Sequence, residues 1–288
     1  MKKPAIQFLL ETLSYFPIGV QYQLAAIMGF ILARTGNQIT SQTDKNIRLC
    51  FAELSRPDQQ SLAKASIRHN CISLVELAAV WCWPAYKILA RIEQENVCEQ
   101  FYQSIKGRLI IAPHLGSWEL LNIWLAEKGR LISLYKPQRN AKVDSFILQS
   151  RSRNSALLVP TDASGLRKLI KGLKQGASVM ILPDQKPQTT KAGIDSVFFG
   201  HTASTTTLIR NICSKIDCDV FIGAMYRRET SATFSLCIES LDHSLLAASE
   251  IESVQYLNDQ IELRVRSHPD QYIWSYKRFT RAEYDSLH

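Results

Sequence analysis

Residues 109–121 read Leu-Ile-Ile-Ala-Pro-His-Leu-Gly-Ser-Trp-Glu-Leu-Leu. The run Leu109–Pro113 has strand character and stops at His114, and Glu119 opens a second apolar run, Leu120–Leu125. If both polar residues lay on one helix, five residues at about 100° each would set them about 140° apart, on different faces. They meet only if His114 stands on a turn and the helix begins near Ser117. Glu119 then falls in the first helical turn, where the helix dipole favours a carboxylate. From there it can reach back to the imidazole, fix its tautomer and stabilise the imidazolium, which makes His114 a candidate general base. An isolated H-x4-E also has a duller reading, a satisfied loop histidine beside an ordinary first-turn glutamate.

Outward from this stretch, strand and helix signals alternate. Strands are predicted over Leu109–Ala112, Leu131–Tyr135, Ala156–Val159, Val179–Leu182, Val220–Tyr226 and Phe234–Glu239. Helices are predicted between them over Trp118–Lys128, Ala141–Arg153, Leu166–Lys174 and Thr205–Ile216, with Gly129 and Gly176 as stop signals. The pattern implies an α/β fold, a mixed central sheet flanked by helices on both faces. Residues 37–100 read as helical: Ser55 caps a helix through Trp83, and a further one is expected over Ala85–Glu95. Between Glu11 and Arg34 lie 22 residues without a charge, interrupted by Pro17, Gln21 and Gln23. A membrane-associating interfacial helix is the first expectation there; a spanning anchor and a plain buried helix are the alternatives. The chain therefore divides into a helical N-terminal arm, 1–36, and a single α/β domain, 37–288.

At 288 residues, 46% hydrophobic and 21% charged, the chain is long and apolar enough for a folded core. A net charge of +8 points to anionic partners. Nucleic acid is not expected, because the basic, aromatic stretch Tyr276–Phe279 with Arg281 has no accompanying reader fold. The seven cysteines form no CxxC pair, and Cys213 and Cys218 have neither a second pair nor a nearby histidine in the sequence. No metal site is expected. His201, His243 and His268 stand alone and read as structural.

Further landmarks follow the histidine motif in order. NIRLCFAELS at 46–55, LYKPQRN at 134–140, the R-x-R-to-Pro-Asp-Gln block at 151–185, VFFGHTASTTTLIRN at 197–211 and HPDQYIWSYKRF at 268–279 resemble successive segments of the bacterial lipid A biosynthesis acyltransferases. Ala52 stands where proline is usual and Lys136 where arginine is usual. The resemblance covers about residues 40–280. It implies a glycerolipid-acyltransferase-like fold, an acyl carrier protein donor, a lipid A precursor as acceptor, and work at the cytoplasmic face of the bacterial inner membrane, on its lipid surface, with no cofactor. It implies His114 and Glu119 as the catalytic pair. Arg153, the second arginine of R-x-R, would hold a phosphate or stabilise developing charge. Lys136, Arg139 and Asn140 would bind substrate, although lysine at 136 lacks the bidentate fork. Asp184 would hold a substrate hydroxyl or brace its loop.

Overall fold

The computed structural model describes residues 3–153, 155–187, 189, 192–228 and 230–287. The chain opens with α1 Ala5–Leu13, α2 Ile18–Leu32, α3 Gln38–Cys50, α4 Arg56–Cys82 and α5 Ala85–Leu89. Then come β1 Ile92–Val97, α6 Glu99–Gln103, β2 Arg108–Ile111, α7 Trp118–Glu127, β3 Leu131–Tyr135, α8 Ala141–Arg151, β4 Ala156–Pro160, α9 Ala163–Lys174 and β5 Ser178–Ile181. A hairpin of β6 Gly193–Phe198 and β7 His201–Thr206 precedes α10 Leu208–Cys213, β8 Asp219–Arg228, β9 Thr233–Leu241, α11 His243–Ala247, α12 Glu250–Ser267 and α13 Arg281–Asp285.

Among the described residues the main sheet has the strand order β1-β9-β8-β2-β5-β3-β4. Strands β8, β2, β5, β3 and β4 run parallel, and β9 is antiparallel to β8. The sheet is thus mixed, mostly parallel, and covered by helices on both faces. On β2, Leu109 and Ile111 face one core, shared with Leu169 and Leu173 of α9, Ile209 and Ile212 of α10 and Leu257 of α12. Ile110 and Ala112 face the other, with Ile72 of α4 and Leu120 and Leu121 of α7. Burial on both faces is why residues 109–112 read as an unbroken apolar run rather than an alternating one.

Several boundaries differ from expectation. The helix predicted over Ala85–Glu95 stops at Leu89, because residues 92–97 join the sheet edge beside β9. Edge residues exposed along most of their length need no apolar pattern, so Ile-Glu-Gln-Glu-Asn-Val carried no strand signal. Thr205 and Thr206 belong to β7, and the next helix begins only at Leu208.

At the N-terminus, Pro17 starts α2, which takes up most of the uncharged segment, and both α1 and α2 pack on α4. Tyr22, Ala25 and Gly29 of α2 are buried, and a Cβ at Gly29 would lie 2.7 Å from the Arg68 Cα. No helix among the described residues is long and apolar enough to cross a membrane.

Candidate active site

The turn between β2 and α7 delivers His114 to the C-terminal rim of the parallel strands, where open α/β sheets bind ligands. Gly116 makes the turn possible: its φ is +62°, and a Cβ there would sit 2.1 Å from the Met225 carbonyl oxygen. The turn is pinned on both sides. Gly116 N–H donates to Gln271 O at 3.1 Å, Ser117 N–H to Met225 O at 2.7 Å, and Ile273 N–H to His114 O at 3.2 Å.

The carboxylate hydrogen-bonded to the His114 ring is that of Asp184, while Glu119 pairs elsewhere. Parallel pairing places Ile111 opposite Ile181, and three residues beyond each lie His114 and Asp184. Asp184 Oδ1 is 2.8 Å from His114 Nδ1, and Oδ2 accepts from the His114 backbone N–H at 2.9 Å. Burial would raise the Asp184 carboxyl, yet the charge and hydrogen bonds of His114 hold it below its ordinary value. An ionised Asp184 accepts from Nδ1–H, which leaves the Nε2 lone pair outward, 3.2 Å from the Gln185 side-chain amide nitrogen. The remaining face of the imidazole meets Trp118 edge-on, with ring centroids 5.2 Å apart.

A small cleft at this point is lined by His114, Asp184, Gln185, Tyr272, Tyr276 and Arg278, among others. Burial, reinforced by the neighbouring Asp184 charge, pushes the Tyr272 phenol well above its ordinary value, so it stays protonated. Arg278 donates to Ser204 O and, at 2.6 Å, to Thr205 Oγ1; its buried Nε has no partner among the described residues.

Glu119 does sit in the first turn of its helix, as the sequence implies, but its oxygens point elsewhere. Arg151 at the end of α8 grips both of them, Nε to Oε2 at 2.8 Å and Nη2 to Oε1, and Trp81 Nε1 donates to Oε2 at 3.1 Å. The planar guanidinium matches the carboxylate bidentately, so this is a rigid clamp between α7, α8 and α4. Arg153, two residues on, is turned to the backbone. Its guanidinium donates to the carbonyls of Val80, Trp83 and Ser150, tying down the C-terminal end of α4.

Lys136, Arg139 and Asn140 follow β3, one strand beyond β5, on the same rim as His114. Asn140 caps α8 by accepting from Lys142 and Val143 N–H, while Lys136 and Arg139 are exposed. Sequence reasoning missed Arg151, Gln185 and Tyr272 as site residues. It also missed a buried network behind the turn, where Glu76 of α4 accepts from Tyr22, Ser117 and both Nε and Nη2 of Arg227. That network joins α2 and β8 to Ser117, the N-cap residue of α7. Its lone sequence signal is a glutamate inside an apolar helical run, at the position of Glu76.

With this geometry in hand, comparison with known proteins is informative. The family described as bacterial lipid A biosynthesis acyltransferase matches residues 5–281. The lipid A biosynthesis lauroyltransferase of Escherichia coli (strain K12) is 24% identical, over 93% of this chain and 88% of its own. The palmitoleoyltransferase of the same strain is 23% identical, over 82% and 76%. Its myristoyltransferase is 20% identical, over 88% and 79%.

Proposed function

The chain belongs to the bacterial lipid A biosynthesis acyltransferase family, and from that premise we propose that it moves a fatty acyl group from acyl carrier protein to a hydroxyl of a lipid A precursor. The observation that carries the mechanism is the buried Asp184–His114 pair at the sheet rim. His114 Nε2 takes the proton of the acceptor hydroxyl, displacing the Gln185 amide from that position. The hydroxyl oxygen adds to the thioester carbonyl, and Asp184 stabilises the imidazolium. The tetrahedral intermediate collapses with loss of the thiolate, which recovers the proton from His114. No serine or cysteine nucleophile is needed, and positioned base catalysis of this kind contributes about 10²–10⁴ in rate.

Glu119 acts through Arg151 rather than through the imidazole, holding α8 against the mouth of the site. Lys136 and Arg139, exposed on the same rim, serve as mobile cations for acceptor phosphates. Exposed apolar side chains on α1 and α2, including Phe8 at 67%, Phe30 at 59% and Ile31 at 58%, support docking of these helices on the cytoplasmic surface of the inner membrane. Replacing Phe8 and Phe30 together by serine should reduce co-sedimentation with anionic lipid vesicles; equal sedimentation would remove that part of the reading.

The test is acyl transfer in detergent micelles, with radiolabelled acyl-acyl carrier protein of several chain lengths and a tetra-acylated, Kdo-bearing lipid A precursor. Label is expected in the precursor with at least one donor. Folded protein that labels nothing, or labels only another glycolipid or a lysophospholipid, would overturn the proposal.

A further inference from the structure

The fold builds a second polar cluster at the opposite rim of the sheet, where the parallel strands begin. Strand β8 starts at Asp219 and runs parallel to β2, whose first residue Arg108 it pairs with, so Cys218 lies at the end of the strands remote from His114. The antiparallel β8–β9 pair ends with Val220 opposite Leu241. Just beyond this end of the pair lie Cys218, the residue before β8, and His243, the first residue of α11. Cys213 is the last residue of α10. The three ligand atoms lie within 4.8 Å of one another; both cysteines are buried and the histidine is half-buried.

We propose that Cys213, Cys218 and His243 form a binding site for one soft divalent cation, with Zn²⁺ as the fitting ion. Two sulfurs and an imidazole are the donor set Zn²⁺ prefers. Tetrahedral coordination at about 2.3 Å for sulfur and about 2.0 Å for nitrogen needs donor atoms roughly 3.5–3.8 Å apart, so rotamer adjustments of about 1 Å complete the site. His243 Nε2 is 3.1 Å from the Ile216 carbonyl oxygen, the outer contact that holds a metal-bound imidazole with Nδ1 as the free lone pair. On binding, each thiol releases its proton to solvent and both sulfurs become thiolate ligands. Among the described residues no fourth His, Cys, Asp or Glu joins the cluster, so water completes the shell on the open side of His243. The ion clips α10, the start of β8 and the start of α11 together and takes no part at the His114 rim.

The experiment uses the full chain, stripped with chelator and titrated with CoCl₂ and then ZnCl₂. Wild type should develop the thiolate-to-cobalt charge-transfer band and the intense visible bands of tetrahedral Co²⁺, lost on adding one equivalent of Zn²⁺. Cys213→Ser and Cys218→Ser should weaken Zn²⁺ binding by more than the about 10–100-fold that removing an outer-shell partner costs. His243→Ala should keep a thiolate band with altered visible bands, and Cys237→Ser, remote on β9, should match wild type. No thiolate band in folded wild type would overturn the site. So would bands that survive both serine variants, or a Cys213–Cys218 disulfide in protein purified under reductant.

Discussion

Replacing Asp184 by asparagine keeps the shape of the site and changes one proton. The carboxylate now accepts twice from His114, at 2.8 Å from the ring and 2.9 Å from the backbone. An asparagine has one oxygen. If that oxygen keeps the backbone N–H, the amide NH₂ faces Nδ1, which must then accept. The ring proton moves to Nε2, and the lone pair needed by the acceptor hydroxyl is gone. The loss equals the base contribution, about 10²–10⁴ in kcat, or about 2.7–5.4 kcal/mol at 1.36 kcal/mol per tenfold. KM for the acyl donor should hardly move, because the Asp184 side chain is only 2% exposed and meets substrate only through His114. Initial rates of label transfer at saturating donor measure this, with circular dichroism to confirm the fold. An Asp184→Asn enzyme with unchanged kcat would refute the assignment of Asp184 as the orienting carboxylate.

Other consequences follow from charge and burial. Glu119→Gln leaves Arg151 without its bidentate partner and, with Arg151 partly exposed, should cost about 1–3 kcal/mol in urea unfolding; a double variant with Arg151→Met should recover part of that. Glu76→Gln strands Arg227, whose side chain is 1% exposed, and should cost about 3–5 kcal/mol; an unchanged urea midpoint would show that the buried network does not hold the turn. The Asp184 carboxyl is depressed in the folded state, so its stabilisation is fully present above the unfolded value of about 3.9 and is lost as pH falls through the folded value. The Tm gap between wild type and Asp184→Asn should therefore narrow between pH 5 and pH 3, where a constant or widening gap would contradict the direction of that shift.

Much of the architecture was legible because buried parallel strands advertise themselves. Leu131–Tyr135 was bounded correctly from its apolar run alone, and the strand after Ser178 within a residue. Polar elements at the margin were not: β1 needs only one neighbour and β7 is built from threonines and serine, so neither carries an apolar period. The site was half legible. His114 stands on the turn after its strand as expected, and Asp184 is legible as a site residue, but their pairing depends on β2 and β5 being neighbours, which no local pattern encodes. Glu119, five residues away, was the natural candidate by proximity; the side chain instead turns to Arg151, 32 residues downstream. Packing alone likewise reveals that, of Arg-Ser-Arg, Arg151 meets Glu119 and Arg153 the carbonyls ending α4. That His243 lies beside Cys213 and Cys218 is set by the fold, since no local pattern brings these three positions together.

The central claim is that His114 is the base for acyl transfer at this rim. The most direct measurement is the rate of label transfer from acyl-acyl carrier protein to the lipid A precursor by wild type and by His114→Ala, with equal folding confirmed for both. The account predicts transfer by wild type and a fall of about a hundredfold or more in the variant. Wild-type rates surviving His114→Ala would contradict it.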